Sequence, residues 1–371
     1  MKINFYLILF VTLFFSHGLI FSQTCLSGGV DFSNQLQIDE FQLNYPNCIE
    51  ILGNVEINGN DIVNLDGLST INVINGNLNI FNNNNLNNIT GLASLTTIGG
   101  NLFFRGNNLI SSLAGLNSLN SIGGFLELFE NSSLNDISAL SQITSINKHI
   151  FISFNQSLQN FNGLHNIVSI GHRLEISRNS VLNLEGLESL TTIGGTLYII
   201  DNDELISLEG LENLNSLNNL EVNFNDNIQS LNGIQNVGSF NIIEMQYNPN
   251  LTFCSTDNIC SHLESGGSAT VTNNSSGCSS ITQINTNCDT LSINTFKINE
   301  ITIYPTIVND KLTFSGIDAL TEIRIFDVSG KVTKAFKTLE NKIDLSSYKS
   351  GIYFIQFKTQ NLISIKKVIK L

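Results

Sequence analysis

Residues 113–131 read LAGLNSLNSIGGFLELFEN, and this stretch contains the pattern that decides the fold. A Gly-Leu-x-x-Leu-x-x-Ile-Gly-Gly segment precedes an apolar-x-apolar pair that begins at Leu126. An asparagine, Asn131, follows five places after the pair begins. The arrangement returns along the chain at a nearly constant interval. Such recurrence, at about 20 to 50 residues, is typical of repeat proteins, in which each unit packs against its neighbours.

Nine copies of the pair and its asparagine follow one another at intervals of 23 or 24 residues. The pairs begin at Val55, Leu78, Leu102, Leu126, Ile150, Leu174, Leu197, Leu220 and Ile243. The asparagines are Asn60, Asn83, Asn107, Asn131, Asn155, Asn179, Asn202, Asn225 and Asn248. Nine matches in succession exceed what a high asparagine content produces. One departure is Ala139, which stands where other copies have glycine.

The period has a direct structural meaning. An apolar-x-apolar pair places both apolar side chains on one face of a strand, so each copy predicts one short strand of a parallel sheet with its pair pointing inward. Asparagine follows where the chain bends away, and its amide can bond backbone groups that the bend leaves unpaired. We therefore expect the nine asparagines to form a buried hydrogen-bonded ladder. Glycines at the corners are expected to allow tight turns.

Charge divides the chain near residue 296. The net charge of the whole chain is −14. Residues 23–296 hold four Lys and Arg against 24 Asp and Glu, a net charge of −20, whereas residues 297–371 hold 12 against seven, a net charge of +5. Such a break indicates a domain boundary. A strongly acidic unit repels phosphate backbones, so nucleic acid is not an expected partner.

The first 22 residues have the charged, apolar and small-polar order of a secretory signal peptide, and we expect cleavage after Ser22. No later run is apolar and long enough to span a membrane, so no transmembrane segment is expected. The six cysteines, Cys25, Cys48, Cys254, Cys260, Cys278 and Cys288, follow this leader. In an oxidising compartment they predict disulfides rather than a metal site, and no metal or cofactor is expected.

Residues 47–57, NCIEILGNVEI, followed by Ile-Gly-Gly-x-Leu-x-Ile segments, resemble the receptor L domain. The resemblance covers residues 25 to about 288. It implies a right-handed, leucine-rich-repeat-like parallel β-solenoid of about nine rungs of 23–24 residues, and it implies that Cys25 pairs with Cys48. Members include ligand-binding receptor ectodomains and surface proteins of unknown purpose. The pairing among the last four cysteines stays open.

The tail has short alternating strands at residues 301–304, 312–314, 322–326 and 351–357, which predict a small antiparallel β-sandwich of Ig-like type. Tyr304-Pro305, the NDKL of 309–312, Gly330-Lys331, the GIY of 351–353 and the KKVIK of 366–370 resemble the type A C-terminal sorting domain of type IX secretion. That resemblance implies contact with the secretion machinery, export across an outer membrane, then removal of the tail. An ordinary adhesion-type sandwich is the alternative.

These observations predict an all-β protein of six segments. They are a signal peptide at 1–22, an N-terminal cap with a disulfide at 23–54, the solenoid at 55–252, a cysteine-rich C-terminal cap at 253–288, a linker at 289–297 and the sorting domain at 298–371. We expect a protein that is secreted or held on the outer surface of a Gram-negative bacterium.

Aromatic residues alternate with carboxylates between the apolar pairs. This outward column is Glu56, Asn79, Phe103, Glu127, Phe151, Glu175, Tyr198, Glu221 and Glu244, and the next outward position adds Phe81, Arg105 and Phe129. Exposed aromatic rows indicate a contact surface, and carboxylates favour a cationic, amine-bearing or hydroxylated ligand. The candidate ligand-binding residues are therefore Phe81, Phe103, Glu127, Phe129, Phe151, Glu175, Tyr198, Glu221 and Glu244. The alternative is that these rings only pack against each other on a strand surface.

Catalytic residues are not expected. His149, His165, His172 and His262 accompany no recognisable nucleophile motif, and His149 and His165 are expected at exposed corners. We therefore expect a non-catalytic recognition or adhesion protein that binds a glycan or a protein. The alternative is a polysaccharide-degrading or accessory enzyme, since polysaccharide lyases also use parallel solenoids. Such a lyase needs basic residues, and residues 23–296 contain just Arg105, Lys148, Arg173 and Arg178.

Overall fold

A computed structural model describes residues 24–291, 302–315, 322–328, 330–336, 341–358 and 363–371. The expected signal peptide lies outside these residues. The chain divides into two units, Met1–Cys288 and Asp289–Leu371. Strands dominate both. The all-β expectation needs one correction, because the first unit also contains short helices at its two ends.

The described part of the first unit contains eighteen strands. In chain order they are β1 (Thr24–Cys25), β2 (Val30–Phe32), β3 (Glu50–Ile51), β4 (Val55–Ile57), β5 (Val73–Ile74), β6 (Leu78–Phe81), β7 (Thr97–Ile98), β8 (Leu102–Arg105), β9 (Ser121–Ile122), β10 (Leu126–Phe129), β11 (Ser145–Ile146), β12 (Ile150–Ser153), β13 (Ser169–Ile170), β14 (Leu174–Ser177), β15 (Thr192–Ile200), β16 (Ser216–Asn223), β17 (Ile242–Gln246) and β18 (Ser268–Thr272). Three 3₁₀ turns, Asp66–Leu68, Thr90–Leu92 and Ser138–Leu140, lie between them.

One long parallel sheet runs through the unit in the order β2-β4-β6-β8-β10-β12-β14-β15-β16-β17-β18. The nine predicted strand starts pair in register from Val55 to Ile243. The shorter strands β1, β3, β5, β7 and β9 form a second parallel sheet, and β11 pairs with β13, which also pairs with β15. Most repeats therefore contribute to two strand ladders.

Within the described residues the long sheet has two strands beyond the nine predicted strand starts. β2 pairs with β4, and β18 pairs with β17 with Ala269 opposite Ile243. The expected caps at 23–54 and 253–288 therefore continue the sheet. The signal was present in the sequence, because Val30-Asp31-Phe32 and Ala269-Thr270-Val271 are both apolar-x-apolar segments.

A ladder of asparagines runs through the interior. Each backbone N–H of a ladder residue donates to the Oδ1 of the asparagine one repeat later, at 2.8–3.2 Å. Each Nδ2 donates to a strand carbonyl of the preceding repeat, as from Asn155 to Leu128 at 2.9 Å. The members are Gly59, Asn83, Asn107, Asn131, Asn155, Asn179, Asn202, Asn225, Asn248 and Asn274.

Asn60 is not a member of this ladder, contrary to the sequence prediction. It is exposed, and Gly59 takes the ladder position. The cause is that β4 has three residues where β6 has four, so the chain bends one residue earlier. At the other end Asn274, five residues after Ala269, continues the ladder by accepting from the Asn248 N–H at 3.0 Å.

Glycine serves two different purposes in the repeats. Gly115 has a φ of +124°, a conformation that residues with a Cβ adopt at a cost. Gly123 is required by close contact instead, because a Cβ there would collide with the carbonyl oxygen of Gly99 one repeat earlier. Ala139 is tolerated because its repeat turns through the 3₁₀ turn Ser138–Leu140, in which its φ is not positive.

Three disulfides bridge the ends of the unit. Cys25 pairs with Cys48, Cys254 with Cys278 and Cys260 with Cys288. The first two have sequence separations of 23 and 24 residues, which equal the repeat interval, so each bridge joins equivalent points of adjacent repeats. These pairs leave no free cysteine among the described residues. Because the bridges close the terminal repeats, they resist fraying where neighbours are missing on one side.

Four short helices lie near the two ends of the first unit. They are α1 (Gln35–Asp39), α2 (Phe41–Asn44), α3 (Asp257–Glu264) and α4 (Ile281–Leu291). Asn34 caps α1 by accepting from the Gln37 N–H at 3.1 Å. The expected linker at 289–297 begins where the second unit begins, and α4 extends three residues into it, to Leu291.

The second unit contains eight described strands. They are β19 (Thr302–Tyr304), β20 (Ile307–Val308), β21 (Lys311–Ser315), β22 (Glu322–Asp327), β23 (Val332–Phe336), β24 (Lys342–Asp344), β25 (Gly351–Lys358) and β26 (Ile363–Lys370). Their sheets have the orders β19-β21-β24 and β20-β26-β25-β22-β23. Pairing is antiparallel except between β20 and β26, which is parallel. Both sheets contribute to one core, in which the rings of Phe314 and Phe357 lie 5.0 Å apart.

The predicted tail strands correspond to β19, β21, β22 and β25, and the prediction omitted the other four. β23 has mostly exposed side chains, and β20 and β24 span two and three residues, so a period-2 apolar pattern is weak in all three. Among the described residues, no helix is long and apolar enough to cross a membrane.

Candidate binding face

The outer face of the long sheet consists of the side chains that point away from the core. Three columns of residues cross it, one residue per strand. The middle column is the predicted one: Glu56, Asn79, Phe103, Glu127, Phe151, Glu175, Tyr198, Glu221 and Glu244. The first column, just before the strand starts, is Asn77, Asn101, Phe125, His149, Arg173, Thr196 and Asn219. The third column begins with Phe81, Arg105, Phe129, Ser153 and Ser177.

The pairing register brings the predicted residues together. Phe103 lies opposite Glu127, which lies opposite Phe151, and the alternation continues through Glu175 to Tyr198. Glu221 and Glu244 pair directly after Tyr198. Phe81 and Phe129 flank Arg105 in the third column. All nine middle-column side chains are half-buried, so the column is a surface of packed side chains and not a row of free ones.

An aromatic cluster occupies the middle of the face. The Phe125 ring meets Phe103 at 6.4 Å and Phe151 at 6.2 Å, edge to face in both cases. His149 lies 4.8 Å from Phe125 and stacks on Phe151 at 5.5 Å and on His172 at 5.3 Å. Sequence reasoning missed Phe125, His149 and His172, because it considered the residue between the apolar pair and the one after it.

The predicted environment of His149 was wrong. It was placed at an exposed corner, and it instead lies half-buried at the centre of the cluster. Burial, followed by the positive charges of His172, Arg173 and Lys148, lowers the pKa of His149. Its Nδ1 is buried and has no hydrogen-bond partner. His165, the other corner histidine, is exposed in a turn.

Every Lys and Arg of residues 24–291 lies against an aromatic ring on this side of the sheet. Arg105 lies 4.9 Å from the centroid of Phe103, and Arg173 lies 3.7 Å from that of Tyr198. The remaining pairs are Lys148 with Phe125 at 5.4 Å and Arg178 with Phe154 at 4.6 Å. In a unit with a net charge of −20, such concentration of the few cations indicates a specialised surface.

Two of the predicted carboxylates are neutralised by neighbours. Glu127 forms an ion pair with Arg105, and Glu175 forms one with Arg173. These two carboxylates therefore do not offer the free negative charge that was expected to attract a cationic ligand. Among the described residues, Glu221 and Glu244 pair with no Lys or Arg.

Glu221 has an unusual protonation equilibrium. Burial, aided by the charge of Glu244, raises its pKa, while the hydroxyl of Tyr198 and the charge of Arg173 oppose the rise. Burial and the same hydrogen bond to Glu221 raise the pKa of Tyr198. Tyr198 is therefore neutral near pH 7 and donates its hydrogen bond to the carboxylate.

A second, outer ladder occupies the beginning of the first column. The Oδ1 of Asn54 accepts from the Asn77 N–H, that of Asn77 from the Asn101 N–H, and that of Asn101 from the Phe125 N–H, each at 2.8 Å. Phe125 ends this series. From there the column continues with His149 and Arg173, so the cluster begins where the outer ladder stops.

Strained residues form a rim beside the third column, one before each ladder asparagine. Asn82, Gly106 and Asn273 suit the left-handed conformation, but Phe154, Phe224 and Tyr247 adopt it with φ of 57–58°. Phe224 and Tyr247 stack face to face at 4.7 Å while each remains 47% exposed. The conformation recurs before every ladder asparagine, so it belongs to the bend of the repeat. The periodic pattern gave no signal for this rim, since these positions vary from repeat to repeat.

Metal ligation has little support in this arrangement. No three His, Cys, Asp or Glu side chains among the described residues come together as a metal-binding group. Glu221 and Glu244 remain a pair of adjacent carboxylates.

Comparison with known proteins identifies the tail. Residues 302–371 match the family of secretion system C-terminal sorting domains. No curated protein matches the chain. The match agrees with the motifs from Tyr304-Pro305 to the 366–370 segment. Residues 302–371 are therefore a type IX secretion C-terminal sorting domain, which directs this protein to the outer cell surface or the extracellular space through the type IX machinery.

Proposed function

We propose that residues 24–288 form a right-handed, leucine-rich-repeat-like solenoid of the receptor L type that binds a glycan, without catalysis, through its outer face. The sorting domain delivers this solenoid to the cell exterior. A protein partner is the other recognition target that the sequence leaves open. A glycan is favoured because its polar hydroxyls and apolar ring faces match a surface in which carboxylates and cations alternate with aromatic rings.

The observation that carries this proposal is the packed cluster on the middle strands. The Phe125 ring meets Phe103 and Phe151 edge to face, and Arg173 lies over Tyr198. These side chains are held by their neighbours while they remain partly exposed, so a ligand would meet a surface that is already ordered. Preorganisation reduces the entropy lost on binding.

A polysaccharide-degrading enzyme is the alternative, and the geometry gives it less support. A lyase needs a base to abstract a proton next to the acidic group of a sugar. Tyr198 lies beside Arg173, but its raised pKa keeps it protonated near neutral pH. Arg173 itself forms an ion pair with Glu175. Neither group is set for that chemistry.

The test uses the full chain on a polysaccharide panel, with retention and new reducing ends measured together. We expect retention without reducing ends, and at least about tenfold weaker retention for Phe103→Ala/Phe151→Ala/Tyr198→Ala. Tyr45→Ala/Phe253→Ala is the matched control, because both rings are exposed elsewhere. New reducing ends would favour the enzyme. Unchanged retention in the triple variant would remove the outer face from binding.

A further inference from the structure

The two consecutive repeats at the centre of the outer face depart from the sequence motif. In most repeats the residue two places before the strand is glycine, as in Gly76, Gly100, Gly124 and Gly195. Lys148 and His172 occupy this position in the repeats of β12 and β14. Nothing in the packing requires a long side chain there, since five other repeats have glycine and the last two have Asn218 and Asn241.

These side chains lie together with His149 in one basic group. His172 stacks on His149 at 5.3 Å with an angle of 26° between the rings. Lys148 lies over Phe125, whose edge meets His149 at 4.8 Å. The groups whose charge acts on the pKa of His149 are His172, Arg173 and Lys148, and each lowers it. Stacked imidazoles beside an ammonium repel one another once they are protonated, and a bound anion would relieve that repulsion.

The arginines of the face differ from this group in having acidic partners. Arg105, Arg173 and Arg178 form ion pairs with Glu127, Glu175 and Asp201. Among the described residues no carboxylate forms an ion pair with Lys148. In addition, the Nδ1 of His149 is buried without a hydrogen-bond partner. The group therefore offers a ligand the uncompensated ammonium of Lys148 and the exposed imidazole of His172, packed against His149.

We propose that Lys148, His149 and His172 form a subsite for one negatively charged sugar of the glycan, bearing a carboxylate or a sulfate ester, seated against the rings of Phe125 and Phe151. This subsite rests on the proposed glycan-binding function. It differs from the expectation of a cationic ligand, because two of the carboxylates behind that expectation, Glu127 and Glu175, form ion pairs with arginines. Because the unit as a whole is strongly acidic, the matching glycan carries isolated acidic sugars among neutral ones and is not a polyanion.

The experiment follows the histidine ring signals of the full chain by NMR at pH 6 during titration with single sugars. The probes are glucuronate, glucose 6-sulfate, glucose and acetate. We expect saturable shifts of His149 and His172 with at least one of the two acidic sugars, and about tenfold weaker effects with glucose and with acetate. His165 and His262 serve as internal references that do not move. Glucuronate and glucose 6-sulfate together distinguish a carboxylate site from a sulfate site.

Variants test the assignment to these residues. Lys148→Gln/His172→Gln is expected to weaken the acidic sugar about tenfold, because charge-assisted hydrogen bonds are lost. Arg178→Gln removes a positive charge from the rim and is expected to change little. Lys148→Gly/His172→Gly restores the residue that neighbouring repeats carry, and it replaces the glutamine variant if that one unfolds.

The proposal is overturned if neither acidic sugar produces a saturable shift, if acetate binds as well as the sugars, or if the Lys148 and His172 variants bind unchanged. A failure of the subsite is distinguishable from a failure of the proposed function. In the first case neutral glycans are still retained and the triple aromatic variant still loses them, whereas in the second case no glycan is retained at all.

Discussion

The outer face has two halves built on the same strands with different side chains. From Asn54 to Asn101 its first column is an asparagine ladder, in which each amide oxygen accepts from the next repeat's backbone. From Phe125 to Tyr198 the face consists of aromatic rings, cations and carboxylates that contact each other across strands. Both halves share one backbone register. Side chains of the first half bond the backbone, while those of the second half form the proposed binding surface.

The inner ladder should be equally important beneath both halves. Asn83→Ala and Asn155→Ala each remove a buried amide that accepts from one backbone N–H and donates to strand carbonyls. Because those partners are left unsatisfied in the interior, we expect each substitution to lower the free energy of unfolding by about 3–5 kcal/mol. Denaturant unfolding measures this.

Asn60→Ala is the matched control for the inner ladder. Asn60 is exposed and outside the ladder, so we expect a change within about 0.5 kcal/mol. A large loss at Asn60, or a loss at Asn83 much smaller than at Asn155, would mean that the two halves do not share one interior frame.

Substitutions in the outer ladder are expected to lower the free energy of unfolding by less, and only in the first half of the face. Asn101→Ala removes the acceptor of the Phe125 N–H in a partly buried place, and we expect a loss of about 1 kcal/mol. Lys148→Ala lies in the second half and removes no backbone partner, so we expect a change within about 0.5 kcal/mol. Equal losses in the two variants, measured by denaturant unfolding, would contradict the division of roles.

The smallest expected effect concerns the charge of Glu221. Its pKa is raised in the folded state, so its contribution to stability is present at low pH and is lost as the pH rises through that pKa. Glu221→Gln removes this loss, and we expect a higher Tm than the unmodified chain at pH 7 but little difference at pH 4.

Glu175→Gln is the comparison for Glu221. It removes a carboxylate that is paired with Arg173, so we expect no rise in Tm at pH 7. Thermal unfolding at the two pH values checks both variants. A Glu221→Gln variant that gains equally at pH 4 and pH 7 would show that its effect comes from packing and not from charge.

Most strands of the long sheet could be predicted from the sequence. An apolar-x-apolar pair with an asparagine at a fixed distance leaves few alternatives for where each strand starts. Asn60 could not be placed correctly, since shortening β4 by one residue moves the bend to Gly59 without changing the pattern. β2 and β18 carry the apolar pair but lie outside the regular interval. Local periodicity is therefore reliable in the middle of the array and weaker at its ends.

The candidate site was only half predictable. The alternation from Phe103 to Tyr198 follows from register alone. Which charges neutralise each other does not, because the pairing of Glu127 with Arg105 and of Glu175 with Arg173 depends on side-chain conformation across neighbouring strands. His149 was missed as a central residue because earlier repeats have asparagine at its position. There the asparagine side chain accepts a hydrogen bond from the backbone of the next repeat.

Because the register of the long sheet is constant, its repeats are structurally equivalent units. Residues 102–125 make up one complete interval, from the start of β8 to the residue before β10. Losing or duplicating such a block would join equivalent points of the chain and leave both disulfide-bridged ends intact. The outer face would then shorten or lengthen by about 4.8 Å, the spacing of one strand, while the asparagine ladder and the core keep the same pattern.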